Sequence, residues 1–263
     1  MRPVYVEAVG VAGPGLPSWR ESLAVLRGET PYAASEMAPY APEKLPPNER
    51  RRATPAVRLA FRCAEDALLG TPLAAADLAT VFASADGDLD VVHRINTALV
   101  QPARAISPTD FHNSVHNAPA GYWSIAVGSK RPSTSLAAHE ASFAAGLVEA
   151  CALVTEDGLD TLFGCYDVRA PAPIATQRPV TQPFAVALVL TGTRTPRTLA
   201  ALRLGVEARE SPLADEALEQ LRRDNPAARA LPLLVQLAQP APVRAGVVGL
   251  PGTGGVLGVE VTP

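Results

Sequence analysis

The sequence predicts an α/β protein, a layered fold in which helices cover a mixed sheet. Segments with the spacing of strands and segments with the spacing of helices alternate along the chain, which is the pattern of layered α/β architectures. Hydrophobic residues make up 48% of the 263 residues and charged residues 19%, so the chain can bury a core. No repeat of fixed short period and no low-complexity linker divides the sequence. We therefore expect one domain over residues 1–263.

The first part of the chain alternates between short apolar strands and amphipathic helices. Ser18 is a predicted helix cap, and Glu21 stands three residues later, which is the spacing of a capping box. Residues 28–48 are rich in proline and are predicted to be irregular. Predicted strands cover 4–9, 78–84 and 133–138, and predicted helices cover 18–26, 55–69, 91–99, 118–127 and 141–156.

The remainder of the chain is mostly predicted strand, with one amphipathic helix. The run 184–190 (FAVALVL) is apolar throughout, as in a strand that is buried on both faces. Predicted strands cover 159–166, 183–190, 199–207, 243–248 and 256–261, and the predicted helix covers 213–223.

Charge and composition exclude several classes of partner. The net charge is −3, and the cluster Arg50–Arg52 is expected to be a solvated surface. Because binding to phosphates requires a basic face, nucleic acid is not expected as the main partner. The N-terminus has no long apolar region typical of a signal peptide, and no apolar run approaches the ~20 residues of a membrane span. A cytoplasmic location is expected.

The cysteines and glycines do not suggest a cofactor. Cys63, Cys151 and Cys165 are odd in number and lack CxxC spacing, so we expect reduced, buried thiols and no metal. The glycines at 252–255 are not followed by a helical pattern and do not form a dinucleotide fingerprint. No cofactor is predicted.

The most informative segment is a predicted strand, 133–138, followed at once by His139, Glu140 and a helix. Several enzymes expose a nucleophile at such a turn, because the helix N-terminus stabilises an anion there. Glu140 stands at the helix start, where a first-turn carboxylate is favourable even without a chemical role. Ser142 is a weak candidate nucleophile, since it lies inside the first helical turn and no GxSxG motif is present.

Four segments resemble motifs of the β-ketoacyl synthase family over about residues 1–195. The segment 131–150 (RPSTSLAAHEASFAAGLVEA) is similar to the family's G-P-S-x-x-x-x-T-A-C-S-S-S-x-x-A-x-x-x-A. Residues 158–165 are similar to its G-x-x-D-x-x-x-x-G, and 51–60 resemble its R-R-M-S-R-x-x-x-x-A helix. Residues 107–121 resemble its P-x-x-x-x-x-x-x-N-x-x-A-G loop. The resemblance implies a thiolase-like layered fold.

Two departures from the family pattern bear on catalysis. The position of the acyl-accepting cysteine falls on Glu140, and a carboxylate does not hold an acyl group as a stable thioester. The family also draws two catalytic histidines from its C-terminal half, whereas the histidines of this sequence are His93, His112, His116 and His139. The resemblance therefore implies that the usual Cys-His-His set is missing and that the chain is not an enzyme on its own.

The C-terminal part of the sequence resembles a reduced version of the family's second half. On this interpretation, residues 1–195 correspond to the N-terminal half of a ketosynthase and residues 196–263 to a remnant of a truncated C-terminal half. The turn Gly252, Thr253, Gly254, Gly255 is similar to the family's late G-F-G-G turn, with Thr253 in the position of the gating phenylalanine. The alternative for these glycines is an ordinary hairpin turn near a C-terminal edge.

Inactive relatives that pair with active ketosynthases are chain length factors, and this chain resembles the short ones found alongside aryl polyene biosynthesis. The resemblance implies that 133–138 meets a ketosynthase across a dimer axis and that 106–127 helps to line the pocket for the growing chain. The alternative for these side chains is ordinary core and helix-cap packing. The candidate interface or pocket residues are Phe111, His112, His116, Asn117, Tyr122, Trp123, Ser133, Thr134, Ser135 and Leu136.

Three hypotheses follow. The first is a non-catalytic chain length factor in a heterodimer with a β-ketoacyl synthase, which acts on chains carried by acyl carrier protein. The second is a stand-alone decarboxylase or hydrolase of acyl thioesters that uses Glu140 and His139, although adjacent residues on a turn are expected to point in different directions. The third is a scaffold or regulatory relative with no role in polyketide synthesis.

Overall fold

The computed structural model describes residues 2–263, and its strands form one mixed sheet, as predicted. Across the sheet the order is β3-β2-β4-β5-β1-β6-β8-β7. β2 pairs in parallel with β3 and with β4, and the remaining neighbours are antiparallel. The strands are β1 (Val4–Ala12), β2 (Ala79–Ala83), β3 (Ser133–Leu136), β4 (Thr161–Asp167), β5 (Phe184–Thr191), β6 (Ala200–Glu207), β7 (Gly246–Gly252) and β8 (Gly255–Thr262).

Helices cover both faces of this sheet. α3 packs on β1, β5 and β4 on one face, together with α6, whereas α7 packs on β4 and β2 on the other face. The α-helices are α1 (Trp19–Leu26), α2 (Pro47–Arg52), α3 (Pro55–Leu68), α4 (Leu89–Leu99), α5 (Pro108–Asn113), α6 (Ala118–Val127), α7 (Ser142–Thr155), α8 (Glu216–Asp224) and α9 (Leu231–Ala238). None of the helices in residues 2–263 is both long and apolar enough to cross a bilayer.

Two hydrophobic cores lie on opposite faces of the sheet, because successive strand residues point to opposite sides. In β5, Val186, Leu188 and Leu190 face the core under α7, and Ala187 and Val189 face the core under α3. The small residues on the α3 side let that helix approach closely. Because the side chains of a central strand alternate between the two faces, each face of the sheet carries its own core and its own layer of helices.

The structure confirms most of the predicted elements and adds three short helices. α2, α5 and α9 were not predicted, because proline and polar residues dominate the first two and Leu231–Ala238 begins with Leu-Pro. The predicted strand at 243–248 begins instead at Gly246, after a 3-10 turn over Ala241–Val243. Ser18 caps α1 as predicted, and its hydroxyl donates to Glu21 Oε1 at 2.8 Å.

β3 is an edge strand of the sheet. The backbone N–H of Thr80 donates to Pro132 O and that of Ser84 to Leu136 O. Since a parallel strand bonds each neighbour through alternate residues, the N–H groups of Ser133 and Ser135 point away from β2. One row of backbone hydrogen-bonding groups is therefore open at this edge.

Candidate functional site

The connection from β3 to α7 is a tight turn that begins with a strained residue. His139 has φ 52°, a left-handed conformation that costs energy for a residue with a Cβ. The buried Ser142 hydroxyl accepts the Ala138 N–H at 3.0 Å and donates to His139 O at 2.7 Å, so it closes the turn. This inward role leaves Ser142 unavailable as a nucleophile. The side chains presented at the turn are therefore His139 and Glu140.

Glu140 is held by two arginines. Arg229, on the 3-10 turn Ala227–Ala230, donates to Glu140 Oε2 from Nη2 at 2.9 Å and from Nε at 3.2 Å. Arg178 Nη1 lies 3.7 Å from Glu140 Oε1. The arginine side chains are 17% and 19% exposed, respectively, so these charges are poorly screened by solvent. Glu140 is thus the anionic partner of a half-buried ion-pair cluster.

The same cluster orients the ring of His139. Arg178 Nη1 lies 2.6 Å from His139 Nε2, and since a guanidinium can only donate, Nε2 is the acceptor in this contact. The other ring nitrogen, Nδ1, lies 3.8 Å from Glu140 Oε1. Arg178 Nε also donates to both carboxylate oxygens of Asp86, at 2.9 and 3.1 Å.

The side chains of His139 and Glu140 therefore approach each other, and the expectation that they point in different directions is wrong for this turn. The left-handed conformation of His139 brings them together. Their basic atoms are nevertheless engaged, because Arg178 occupies the lone pair of His139 Nε2 and Arg229 occupies Glu140 Oε2. A general base needs a free lone pair toward its substrate. Of the two carboxylate oxygens, Glu140 Oε1 is the one without a hydrogen bond to the described residues, since it lies 3.7 Å from Arg178 Nη1 and 3.8 Å from His139 Nδ1.

A buried carboxyl group lies behind the turn. Asp167 Oδ1 accepts the Ser84 hydroxyl at 2.8 Å and the Ala85 N–H at 2.9 Å, while Oδ2 has no hydrogen-bond partner in the part of the chain that the structure describes. Burial raises the pKa of Asp167 to about 7. His116 Nε2 donates to Ser84 O at 3.0 Å, which connects the candidate loop to the same β2 terminus.

Four of the predicted interface or pocket residues meet at the open edge of the sheet. His116, Asn117, Ser133 and Ser135 line a groove of about 460 Å³ between α6 and β3. The Thr80 hydroxyl donates to Ser133 Oγ at 2.8 Å. Polar side chains thus flank the free backbone groups of the edge strand.

The other two residues of β3 among the candidates are half-buried. Thr134 lies between these serines and Leu136 follows the second one, and the Thr134 hydroxyl donates to Glu149 Oε1 on α7 at 3.1 Å. Leu136 packs against the core under α7. These two side chains attach β3 to α7 and to the core beneath that helix.

Phe111 and His112 on α5 are exposed, whereas Tyr122 and Trp123 on α6 are buried. The Phe111 side chain is 71% exposed. Trp123 packs edge-on against Phe61 and Phe82, with ring centroids 5.0 and 6.4 Å apart, so it belongs to the core under α3. Of these four, only Phe111 and His112 lie where another molecule can touch them.

The gate-like turn is the hairpin turn between β7 and β8. Gly252 and Gly255 pair across it, and Gly254 has φ 88°, which favours glycine. The turn, with Thr253, lines a groove of about 400 Å³ whose opposite wall is the α7 face of Ala144, Ala145 and Val148. The geometry of the turn is that of an ordinary hairpin, and a gating role stays a prediction.

The three cysteines are buried and unpaired, as predicted. Burial raises the pKa of each thiol, to about 12 for Cys151, which leaves the reactive thiolate scarce at neutral pH. Within residues 2–263, no group of three or more His, Cys, Asp or Glu side chains is arranged to hold a metal ion.

Sequence reasoning missed Asp86, Arg178 and Arg229. Arg229 follows Glu140 by 89 residues and Arg178 follows His139 by 39, and neither lies in a motif. Each arginine stands in a stretch rich in alanine or proline, which does not identify a partner, and Asp86 stands among the other acidic residues of 86–90.

One protein-family model matches most of the chain. The model for "Beta-ketoacyl synthase, N-terminal domain" matches residues 26–241. That match runs past residue 195, where the sequence analysis places the start of a C-terminal remnant. No curated protein sequence matches the chain.

Solved structures with the same fold include complexes that contain a ketosynthase. The chain is similar to a chain in the complex of the ketosynthase ApeO with its chain length factor ApeC from Xenorhabdus doucetiae. The TM-score is 0.73 at 23% identity, and the match covers 100% of both chains. It is also similar to a chain of the ishigamide ketosynthase/chain length factor, with a TM-score of 0.74, 15% identity and 98% coverage of both.

A third similar structure includes an acyl carrier protein. It is the AntDE:AntF structure, a type II acyl-carrier protein in complex with its ketosynthase bound to the hexaketide. The TM-score is 0.72 at 11% identity, and the match covers 100% of this chain and 99% of the other. At these identities the likenesses establish the fold.

Proposed function

The chain belongs to the family of β-ketoacyl synthase N-terminal domains, and from that premise we propose that it is a non-catalytic chain length factor. It pairs with a cysteine-bearing β-ketoacyl synthase in the cytoplasm, stabilises it and shapes the pocket that receives the growing acyl chain. Its contact with acyl carrier protein is indirect, through the ketosynthase. The resemblance to aryl polyene chain length factors supports a polyene as the product.

The observation that carries this proposal is the ion-paired carboxylate at the strand-to-helix turn. The family motif has its acyl-accepting cysteine at the position of Glu140, and here Arg229 and Arg178 surround that side chain. A carboxylate that is ion-paired with Arg229 is a poor nucleophile, because attack on an acyl group would break that ion pair. The turn therefore supports a structural role in place of catalysis.

The open edge of β3 supports the pairing. Unpaired strand edges attract another strand, and natural proteins usually cover or disrupt them. β3 carries no proline and no charged side chain. A partner strand at this edge would take up the free backbone groups of Ser133 and Ser135 and would continue the sheet.

An exposed apolar surface on α4 and α5 supports the same partner. α4 and α5 are joined by a bidentate contact in which Arg94 Nε and Nη2 donate to Asp110 Oδ1, at 3.1 and 2.8 Å. The two helices and the adjacent loops leave large apolar side chains in solvent, as interfaces between proteins often do in the free subunit. These are Val92, Leu99, Val100, Phe111 and Val115, which we call the α4–α5 apolar surface.

Two grooves support a role in shaping the chain pocket. The groove of His116 and Asn117 lies between α6 and β3, and the groove that includes the gate-like turn lies against α7. We propose that the first contributes to the pocket wall and that the second lies near its end.

Co-purification tests the pairing. The chain is co-expressed with each cysteine-bearing β-ketoacyl synthase of the same organism, and the molar mass of the complex is measured by light scattering. We expect a 1:1 complex with one of them, and condensation of carrier-bound substrates only when both subunits are present. A stable chain that binds none of these ketosynthases would contradict the proposal.

A decarboxylase or hydrolase that uses Glu140 and His139 is the alternative function. The 3.8 Å between His139 Nδ1 and Glu140 Oε1 is the observation in its favour. It requires that Arg178 and Arg229 release their partners when substrate binds. Incubation of the chain alone with malonyl and acyl thioesters distinguishes the two, since only the alternative expects free carbon dioxide or acid.

A further inference from the structure

We infer that Arg178 and Arg229 form a carboxylate-binding site that Glu140 occupies from within the chain. The site lies at the turn between β3 and α7, and its ligand class is a small carboxylate. In the native protein the internal carboxylate keeps this site closed to carboxylates from outside. The inference concerns the chain itself and holds whether or not the chain pairs with a ketosynthase.

Both arginines are positioned by contacts other than Glu140. Arg178 is fixed by Asp86, whose oxygens lie 2.9 and 3.1 Å from its Nε, and by His139. Arg229 Nη2 also donates to Arg223 O at 3.4 Å, and the 3-10 turn that carries it is tied down by Asn225. The donors that converge on Glu140 therefore stay in place when its carboxylate is removed.

The charge balance of the cluster requires an anion at this position. Asp86 neutralises one guanidinium, and Glu140 neutralises the other. Without Glu140, two half-buried cations would face one carboxylate. An unpaired half-buried charge is costly, so the vacated position favours any anion that can reach it. Glu140 meets Arg229 through Oε2 and approaches Arg178 through Oε1, so a carboxylate with its two oxygens can face both arginines, which a spherical ion cannot do.

The site is accessible from solvent. The Glu140 side chain is 39% exposed, about twice the exposed fraction of either arginine. A small ion can therefore enter without unfolding the turn. Replacement of Glu140 by alanine removes a CH2–COO⁻ group, which differs from acetate by one hydrogen. Acetate thus matches both the charge and the volume that the substitution deletes.

The test is chemical rescue of Glu140→Ala by acetate. The melting temperature is measured at constant ionic strength as acetate replaces chloride. With a Kd of about 10 mM, about 100 mM acetate should raise the melting temperature of the variant by roughly 3–6 °C. Formate and propionate test the size of the site, and direct titration of labelled acetate followed by NMR tests binding independently of stability.

Three matched proteins decide the outcome. The native chain should not respond to acetate, because Glu140 fills the site. Glu140→Gln should not respond either, since its amide occupies the same volume. The double variant Glu140→Ala with Arg229→Gln should lose the response, because the main donors are gone. An equal response of the double variant, or none in Glu140→Ala, would overturn the inference.

If Glu140→Ala folds poorly, its refolding yield is compared with and without acetate, and a yield that does not depend on acetate would also overturn the inference.

Discussion

Glu140 and Arg229 form an ion pair in which Nη2 and Nε of the arginine donate to a single carboxylate oxygen, at 2.9 and 3.2 Å. The pair joins the turn after β3 to the 3-10 turn that precedes α9. Both side chains are partly shielded from solvent, Arg229 more than Glu140. The pair therefore links the edge strand of the sheet to the C-terminal part of the chain, and it does so at the position where the family motif has its cysteine.

Removal of the arginine should destabilise the fold. Arg229→Ala leaves Glu140 with the longer contacts to Arg178 and His139, and we expect the free energy of unfolding to fall by about 1–3 kcal/mol. Chemical denaturation measures the change. Arg203→Ala, which removes an exposed arginine on β6, is the control and should change stability by less than about 0.5 kcal/mol. Equal effects of the two substitutions would contradict a stabilising pair.

Stability should depend on pH through Asp167. Burial raises its pKa in the folded protein to about 7, from an unfolded value of 3.8, so the folded state holds the proton to higher pH. The stability contributed by the protonated form is fully present below about pH 4 and is lost as pH rises through 7. Within that window the loss is at most about 1.4 kcal/mol per pH unit.

Asp167→Asn removes this titration. Its stability relative to the native chain should rise between pH 4 and 7, as followed by thermal unfolding across that range. Asp157→Asn changes an exposed carboxylate and serves as the control with a flat difference. A constant difference between Asp167→Asn and the native chain would show that Asp167 titrates normally.

A proline on the outward-facing backbone of β3 should block the partner. Ser135→Pro removes an N–H that points away from β2, so the internal ladder is retained while the open edge loses a donor. We expect the affinity for the ketosynthase to fall at least about tenfold, with little change in the melting temperature of the free chain. Ser135→Ala keeps the N–H and should bind within about twofold of the native chain. Biosensor titration measures both, and undiminished binding of Ser135→Pro would exclude pairing through this edge.

The α4–α5 apolar surface should contribute to the same interface. Phe111→Ser removes a large side chain that is 71% exposed, and it should weaken binding by about 1–3 kcal/mol without destabilising the free chain. Leu69→Ser is the matched control, because Leu69, the residue that follows α3, is 87% exposed and is not part of the α4–α5 apolar surface. If both substitutions weaken binding equally, the effect is non-specific and this surface is not the interface.

The sequence predicted the sheet and its helices well where apolar periodicity was strong. β5 is apolar from Phe184 to Leu190, and α3 repeats buried residues at helical spacing, so each was recognised from its own segment. α5 was missed because its six residues are too few to show a period. Short polar helices of this kind depend on caps such as Ser107, which resemble turn residues in sequence.

The candidate site was predicted only in part. The position of Glu140 at a strand-to-helix turn follows from local patterns, whereas its arginine partners come from distant loops that tertiary packing brings together. Tyr122 and Trp123 illustrate the opposite case. Their aromatic side chains could belong to a pocket or to a core, and only the packing of Trp123 on Phe61 and Phe82 assigns it to the core.

The most direct test of a non-catalytic role is condensation by the reconstituted heterodimer with Glu140→Gln in this chain. The substitution removes the negative charge and keeps the side-chain volume, and the folded state of the complex is checked by its melting temperature. We expect a condensation rate within about twofold of the native pair, and complete loss when the partner's catalytic cysteine is replaced by alanine. Abolished condensation in a folded Glu140→Gln complex would contradict a non-catalytic role and would favour catalysis by Glu140.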